Sequence, residues 1–298
     1  MSQPELAAAA ATDSALHAQV AQFVAELTME LGRDTIVLHG YPEVAMRVQR
    51  ALNDENVSAA MIVRLIGSEP VLASRVLSMA NAAAFNTSSG VVTELRTAVA
   101  RMGVDALRSA VTSYALNQLR ASRELATVAQ PMRELWESSV VVAALCSVVA
   151  RRLEGGNPDS ALLAGVMHGI GKLYIVIKAR KFPLILADTG ARAEINAHWH
   201  VTICRALMKQ WQMPEVIAEA VGHYEGFGQS APPAGMNLTG VLFLSTVLAD
   251  NLQNPARLAA LMATDQGLAR FGLSAADCQT LLAESEQQIA QVMESLGM

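Results

Sequence analysis

Six histidines are spread over this 298-residue chain, and one of them, His168, opens the stretch His168-Gly169-Ile170-Gly171-Lys172. Imidazoles hold divalent ions, and a divalent ion that lowers the pKa of a bound water and neutralises the oxygens of a phosphoester takes anionic ligands as well as neutral imidazoles. Beside His168 the chain offers glycine instead of a carboxylate, and Lys172 follows four residues later. That lysine reads either as a point charge for an anionic group or as an ordinary surface lysine near a helix end. His168 itself, among Val166, Met167 and Ile170, reads as a buried imidazole bonded to a neighbour, with a ligand role as the alternative. His198 and His200 are two apart, so on a helix they point to opposite sides and cannot serve one ion together. His223, four residues after Glu219, has the spacing of a helix-surface pair, and Asp250 suits either a ligand or a bond to a helix end.

Other chemistries are excluded by spacing. From Gly165 to Lys172 the glycine interval is one residue too long for a phosphate loop, and Leu173 stands where Ser or Thr is needed. Gly169 and Gly171 fail the dinucleotide fingerprint because Tyr174 takes the third glycine position and no strand precedes them. Neither HExxH nor GxSxG occurs.

The elements that must position these side chains are helical. Val44, Val48 and Leu52 recur at four-residue steps; Ile62, Leu65 and Ile66 follow a Ser58 cap; Leu72, Val76 and Met79 follow Ser68 with Pro70 in the first turn. Leu95, Val99 and Met102 follow Thr93, and Gly103 punctuates before Leu107, Val111 and Tyr114. Breaks are expected from Asn86 to Gly90, from Gly155 to Pro158 and from Gly226 to Asn237, the last long enough for a flap or a plain connector. A closing helix after Ser274 carries Cys278, Leu281, Leu282, Ile289, Val292, Met293 and Leu296 on one stripe, which docks on its own chain or forms a dimer seam. The alanine-rich start, with Glu5 and Asp13 and no basic leader, reads as a frayed tail rather than a signal peptide.

An apolar share of 52% can supply an extensive core. Charged residues make up 16%, against about 25% in typical globular chains, a dilution that recurrent alanine explains. With a net charge of −5 and no basic run interleaved with aromatics, direct nucleic-acid binding is not expected. Arg96, Arg101 and Arg108 read as solvated faces of helices. Cys146, Cys204 and Cys278 lie far apart with no CxxC, as expected for reduced, core-packed thiols of a cytoplasmic protein. Val140 to Ala150 is too short for a membrane span of about 20 residues, so no membrane association is expected.

Several landmarks fall in a recognisable order: Tyr41-Pro42-Glu43-Val44, the run from Ser68 to Leu77 before Ala80-Asn81, the run from Ala98 to Gly103, Leu135-Trp136, the His168 stretch, and Trp211-Gln212-Met213-Pro214. Together they resemble the HDOD family, the HD-related output domains of bacterial signalling, from about Ile36 to Glu225. Glu69 stands where that family usually has Asp. The resemblance implies an all-α, multi-helix fold in which an N-terminal helical bundle packs on a degenerate HD-like helical subdomain. The expected division is a disordered tail over 1–13, the bundle over 14–123, the HD-like part over 124–254 and C-terminal helices over 255–298.

The HD superfamily holds its metal with a His, an adjacent His-Asp pair and a distant Asp. Carried onto this chain, the first His falls near Ser138, the pair becomes His168-Gly169, and the distant Asp matches Asp250. His200 aligns through its interval to Trp211, and the family's His-His at the next helix end is thinned to His223-Tyr224. Two of four ligands remain, too few for stable coordination. The resemblance therefore implies a non-catalytic regulator with no metal and no cofactor, whose relic pocket is lined by Ser138, His168, Gly169, Lys172, His200, His223 and Asp250. The expected partner is a signalling protein of the kinase, cyclase or response-regulator class. A small nucleotide such as a cyclic dinucleotide or alarmone, or a cryptic metal-dependent phosphodiesterase activity, is the alternative.

Overall fold

The computed structural model describes residues 3–82, 91–153, 156–227 and 237–296. Among these residues every regular element is helical. The first five helices are α1 (Gln3–Gly32), α2 (Glu43–Ala51), α3 (Ala59–Gly67), α4 (Pro70–Asn81) and α5 (Leu95–Arg120). A 3-10 segment, Arg123–Val128, leads to α6 (Ala129–Arg152), α7 (Pro158–Met167), α8 (Ile170–Ala179), α9 (Pro183–Ala187) and α10 (Thr189–Gln210). Then come α11 (Glu215–His223), a 3-10 turn over Tyr224–Gly226, α12 (Leu238–Asp250), α13 (Pro255–Thr264), α14 (Gln266–Ala269) and α15 (Ala275–Ser295).

Local chemistry sets the starts. Ser58 accepts from the Met61 amide, Asp188 from Ala191, Asn237 from Gly240, and Ser274 forms a reciprocal capping box with Asp277. At α4 the cap is Glu69 rather than Ser68, whose hydroxyl bonds back to the Leu65 carbonyl. The Glu69 carboxylate accepts from Val71, a bond that a shorter Asp could equally make from the same position. The expected punctuation at Gly103 is a break inside α5, with φ +74° and ψ 174°, a conformation that only glycine adopts freely. Of the expected breaks, 86–90 and 228–236 lie outside the described residues, whereas Asn157 and Asn237 cap the helices that follow.

Helices α2 to α5 form the N-terminal bundle, and α5 continues from it to pack on α7. Around α6 and α7 gather α8, α11 and α12, and α10 packs on α8 and α11. Two expectations about the chain start are corrected. Residues from Gln3 onward are helical, not a frayed tail, and α1 packs on α9 and α10 rather than on the bundle. The reason is chemical: Phe23 and Leu27 are fully buried, and buried Lys178 of α8 pairs with Glu30 at 2.7 Å and Glu26 at 3.3 Å.

The stripe on α15 docks on its own chain. Cys278, Val292 and Leu296 are buried against α6, Arg152 pairs with Glu284, and Asn117 donates to the Leu296 carbonyl. Val140 to Ala150 is the buried half of α6. One stretch, Pro158–Ala179, has the length and mean hydropathy (1.6) of a membrane span; 83% of that window is buried within the fold and His168-Gly169 divides it.

Arg108 is a correction of a different kind. It is 3% exposed, and its guanidinium donates to Gln49 Oε1 at 3.2 Å, the Leu52 carbonyl at 3.0 Å and Asn53 Oδ1 at 2.6 Å. Asn53 in turn donates to the Gln212 carbonyl at 2.7 Å, and Tyr41 stacks on Trp211 at 4.3 Å. The bundle is thereby clasped to the end of α10 by an Arg–Asn–carbonyl chain beside an aromatic stack. Arg96, by contrast, is exposed as expected.

Arg108→Met should lower stability by roughly 2–4 kcal/mol in denaturant unfolding, because Gln49, Asn53 and the Leu52 carbonyl lose a charged donor together. Arg108→Lys, lacking the fork, should restore only part of this, while Arg96→Ala should stay within about 0.5 kcal/mol of the parent. Equal effects at 108 and 96 would refute the clasp.

Candidate functional site

Four elements converge on a cavity of about 270 Å³. Helix α6 contributes Ser138 and Val142, one turn apart; the α7–α8 junction contributes His168 and Lys172; α12 contributes Phe243, Thr246 and Asp250. The turn after α11 adds Tyr224 and Glu225. The junction is narrow because its glycines allow close approach. A Cβ on Gly169 would stand 2.4 Å from Ser139 Oγ of α6, and one on Gly171 would stand 2.1 Å from the His200 carbonyl of α10.

His168 is 5% exposed, and its Nδ1 lies 2.6 Å from the Gly165 carbonyl. A carbonyl only accepts, so Nδ1 carries the proton and Nε2 presents its lone pair. Burial pushes the ring's pKa down from 6.5 to about 4, only partly opposed by the Gly165 bond, which keeps the ring neutral at pH 7. The Tyr224 ring stands edge-on to it at 6.1 Å.

His200 is 2% exposed and backs the cavity: Nδ1 faces the Asn196 carbonyl at 2.6 Å, and Nε2 faces Glu225 Oε1 at 3.0 Å. Tyr224 donates to the same carboxylate oxygen at 3.0 Å. The hydrogen bond with His200 holds the Glu225 carboxyl below its ordinary range, against the opposing effect of partial burial, while burial and the adjacent carboxylate push the Tyr224 phenol up. Phe243 is stacked on Phe227 at 5.5 Å and near Phe271 at 6.3 Å, which closes the cavity's apolar side.

Of the residues read from the sequence, Ser138, His168, Lys172 and Asp250 meet in this cavity, and His200 reaches it through Glu225 and Tyr224. His223 does not: it is exposed on α11 and paired with Glu219 at 3.2 Å. Gly169 faces the other way, onto Ser139 and a small apolar crevice with Trp136, so Ser139 and not Ser138 stands opposite it. Glu225 and Tyr224 were missed because a 3-10 turn, not a helix, sets their direction. Val142 and Thr246 were legible in principle, four residues from Ser138 and Asp250 on the same helix faces.

The donor set does not fit a divalent ion. Among the described residues no three of His, Cys, Asp and Glu come together as a metal-holding group. The Lys172 ammonium shares the cavity, and Glu225 is already engaged by His200 and Tyr224. The Cys204 thiol, pushed up to about 12 by burial, is occupied by the Gly171 amide at 3.2 Å.

The HDOD domain family model matches residues 38–226. An uncharacterized protein of Treponema pallidum (strain Nichols) is 24% identical over 194 residues, 60% of this chain, and the match spans 36% of that relative's length. Among solved structures, a candidate metal-dependent phosphohydrolase from Shewanella amazonensis SB2B superposes with a TM-score of 0.72 at 23% identity, covering 94% of this chain and 99% of its own. A candidate signal transduction protein from Marinobacter aquaeolei VT8 gives 0.57 at 19% identity, covering 97% and 65%. At these identities the structural likenesses carry the fold alone.

Because His168 is neutral in the fold, the unfolded chain takes up a proton between pH 6.5 and about 4 that the folded chain refuses. Its contribution is therefore intact above pH 6.5 and lost as pH falls toward 4, by roughly 3 kcal/mol in full. Urea midpoints measured across this range should fall with pH, and His168→Gln should flatten the slope; an unchanged slope would refute the assignment.

Proposed function

The chain belongs to the HDOD domain family, and on that premise we propose that it is a bacterial signalling regulator without turnover, its degenerate HD cavity serving a ligand-sensing or protein-interaction role in the cytoplasm. One observation carries this reading. Where the resemblance asks for the second metal-binding carboxylate, Gly169 is closed off by Ser139, and an ammonium, Lys172, stands in the cavity instead. A cation at that place opposes a second cation, and a neutral His168 with one unengaged carboxylate supplies too little negative charge to overcome it. The coarser statement, an HD-related helical fold, fits both a working and a silent site; the charge arrangement supports the silent one.

In this reading the output passes through a protein partner of the kinase, cyclase or response-regulator class. The clasp at Arg108 and the Tyr41–Trp211 stack support it, since they join the bundle to the helix that carries His200. A displacement at the cavity then has a bonded route to the bundle surface.

Purified protein is expected to carry no stoichiometric iron, manganese or magnesium, and to hydrolyse cyclic di-GMP no faster than buffer when manganese is added. Hydrolysis abolished by His168→Ala would overturn the reading. Affinity capture from bacterial extract, identified by mass spectrometry, should recover a signalling partner. Gly169→Asp should fail to create activity and should cost about 1–3 kcal/mol of stability, because the new Cβ displaces Ser139.

A further inference from the structure

The cavity is lined by two opposite charges that do not pair with each other. Among the described residues Lys172 Nζ and the Asp250 carboxylate have no hydrogen-bond or ion-pair partner, although both line the same cavity. Nine-tenths-buried His168 adds a third unanswered group, since its Nδ1 is spent on Gly165 and its Nε2 lone pair is left without a donor. Asp250 is exposed and Lys172 half-buried, so both are solvated, and a ligand that displaces that water must answer all three groups together. They ask for one anionic group, one cationic group, and N–H donors on the cationic one.

Size and charge narrow the choice. At about 270 Å³ the cavity falls just below the range of roughly 300–1,000 Å³ that takes drug-sized ligands. A cyclic dinucleotide or an alarmone is larger than that, and its phosphates would face Asp250 and Glu225 with only Lys172 to offset them. A simple anion leaves Asp250 unanswered, and a simple cation leaves Lys172 so. A quaternary ammonium has no N–H for His168.

We propose that the cavity binds a small zwitterion of the α-amino-acid class, its carboxylate on Lys172 and its ammonium between Asp250 and the free ring nitrogen of His168. Val142 and Phe243 form the apolar wall for an uncharged side chain. The proposal names the signal for the regulatory reading of this same cavity and rests on it.

Calorimetry on the full chain with each of the twenty free L-amino acids, followed by the N-acetyl and amide derivatives of the best binder, tests it. At least one amino acid should bind one-to-one, and removing either charge should weaken it roughly tenfold or more. Lys172→Met and Asp250→Asn should each weaken it to a similar extent, and Asp250→Asn should no longer discriminate against the N-acetyl form. Should either variant fail to fold, the derivative comparison on the parent protein decides alone. Absence of any amino-acid binding at millimolar concentration, equal binding of the derivatives, or tighter binding of cyclic di-GMP or guanosine tetraphosphate would overturn the proposal. Hydrolysis of cyclic di-GMP would defeat the silent-site reading instead, and leaves the calorimetric result to judge the ligand separately.

Discussion

Helices α7 and α8 lie in backbone contact with their neighbours on both sides, and the cavity exists because of that contact. Beside Gly165 the Ala143 backbone leaves only 2.4 Å for a Cβ, Gly169 meets Ser139 of α6, and Gly171 meets the His200 carbonyl of α10. Side chains at Gly165 and Gly171, where the crowding atoms are backbone, would push the layers apart, and close-packed interiors do not absorb such expansion cheaply. The contact fixes the turn between α7 and α8, and the turn aims the His168 ring. With Nδ1 tied to Gly165, one nitrogen of that ring is spent inside the fold and only the other is available to chemistry. At Gly169 the crowding atom is a single hydroxyl, so a carboxylate next to the imidazole would require Ser139 to turn away.

Around this rod the polar groups divide into those that hold the architecture and those that do not. Arg108, Gln49 and Asn53 answer one another across the seam between bundle and HD-like helices, and Lys178 with Glu26 and Glu30 fastens the first helix. These are buried or half-buried charges with fixed partners, Arg108 through both terminal nitrogens though not through Nε, so removing one member strands the rest. Lys172 and Asp250 differ: each has water-facing freedom and no fixed companion among the described residues. The charges that hold the architecture are thus separate from those that line the cavity.

Much of this organisation was legible in the chain. Apolar steps of three and four marked most helices, Ser58 and Ser274 announced their caps, and the ordered landmarks from Tyr41 to Trp211 pointed to the family that residues 38–226 match. What could not be read depends on contacts between distant segments. Arg108 looks solvated until Gln49 and Asn53, more than fifty residues away, are brought against it. The first helix has no visible partner until Phe23 and Lys178 dock its C-terminal half. Glu225 looks like a loop residue because nothing in a one-dimensional pattern tells a 3-10 turn from the end of α11. Asp250 and Ser138, by contrast, each share a face with a second lining residue one turn away, so a stricter helical reading would have extended the cavity from four residues to six.

One wall of the cavity is mechanically joined to the far end of the chain. Phe243 lines the cavity and meets both Phe227 and Phe271, 5.5 and 6.3 Å away, these two stack on each other at 5.6 Å, and Arg270 caps the cluster by donating to the Phe227 carbonyl. A molecule resting on Phe243 would touch a three-ring cluster that also holds the linker into α15, and α15 is anchored to α5 through Asn117 and to α6 through Arg152. The wall of the hollow and the outer strap of the molecule therefore share one apolar brace.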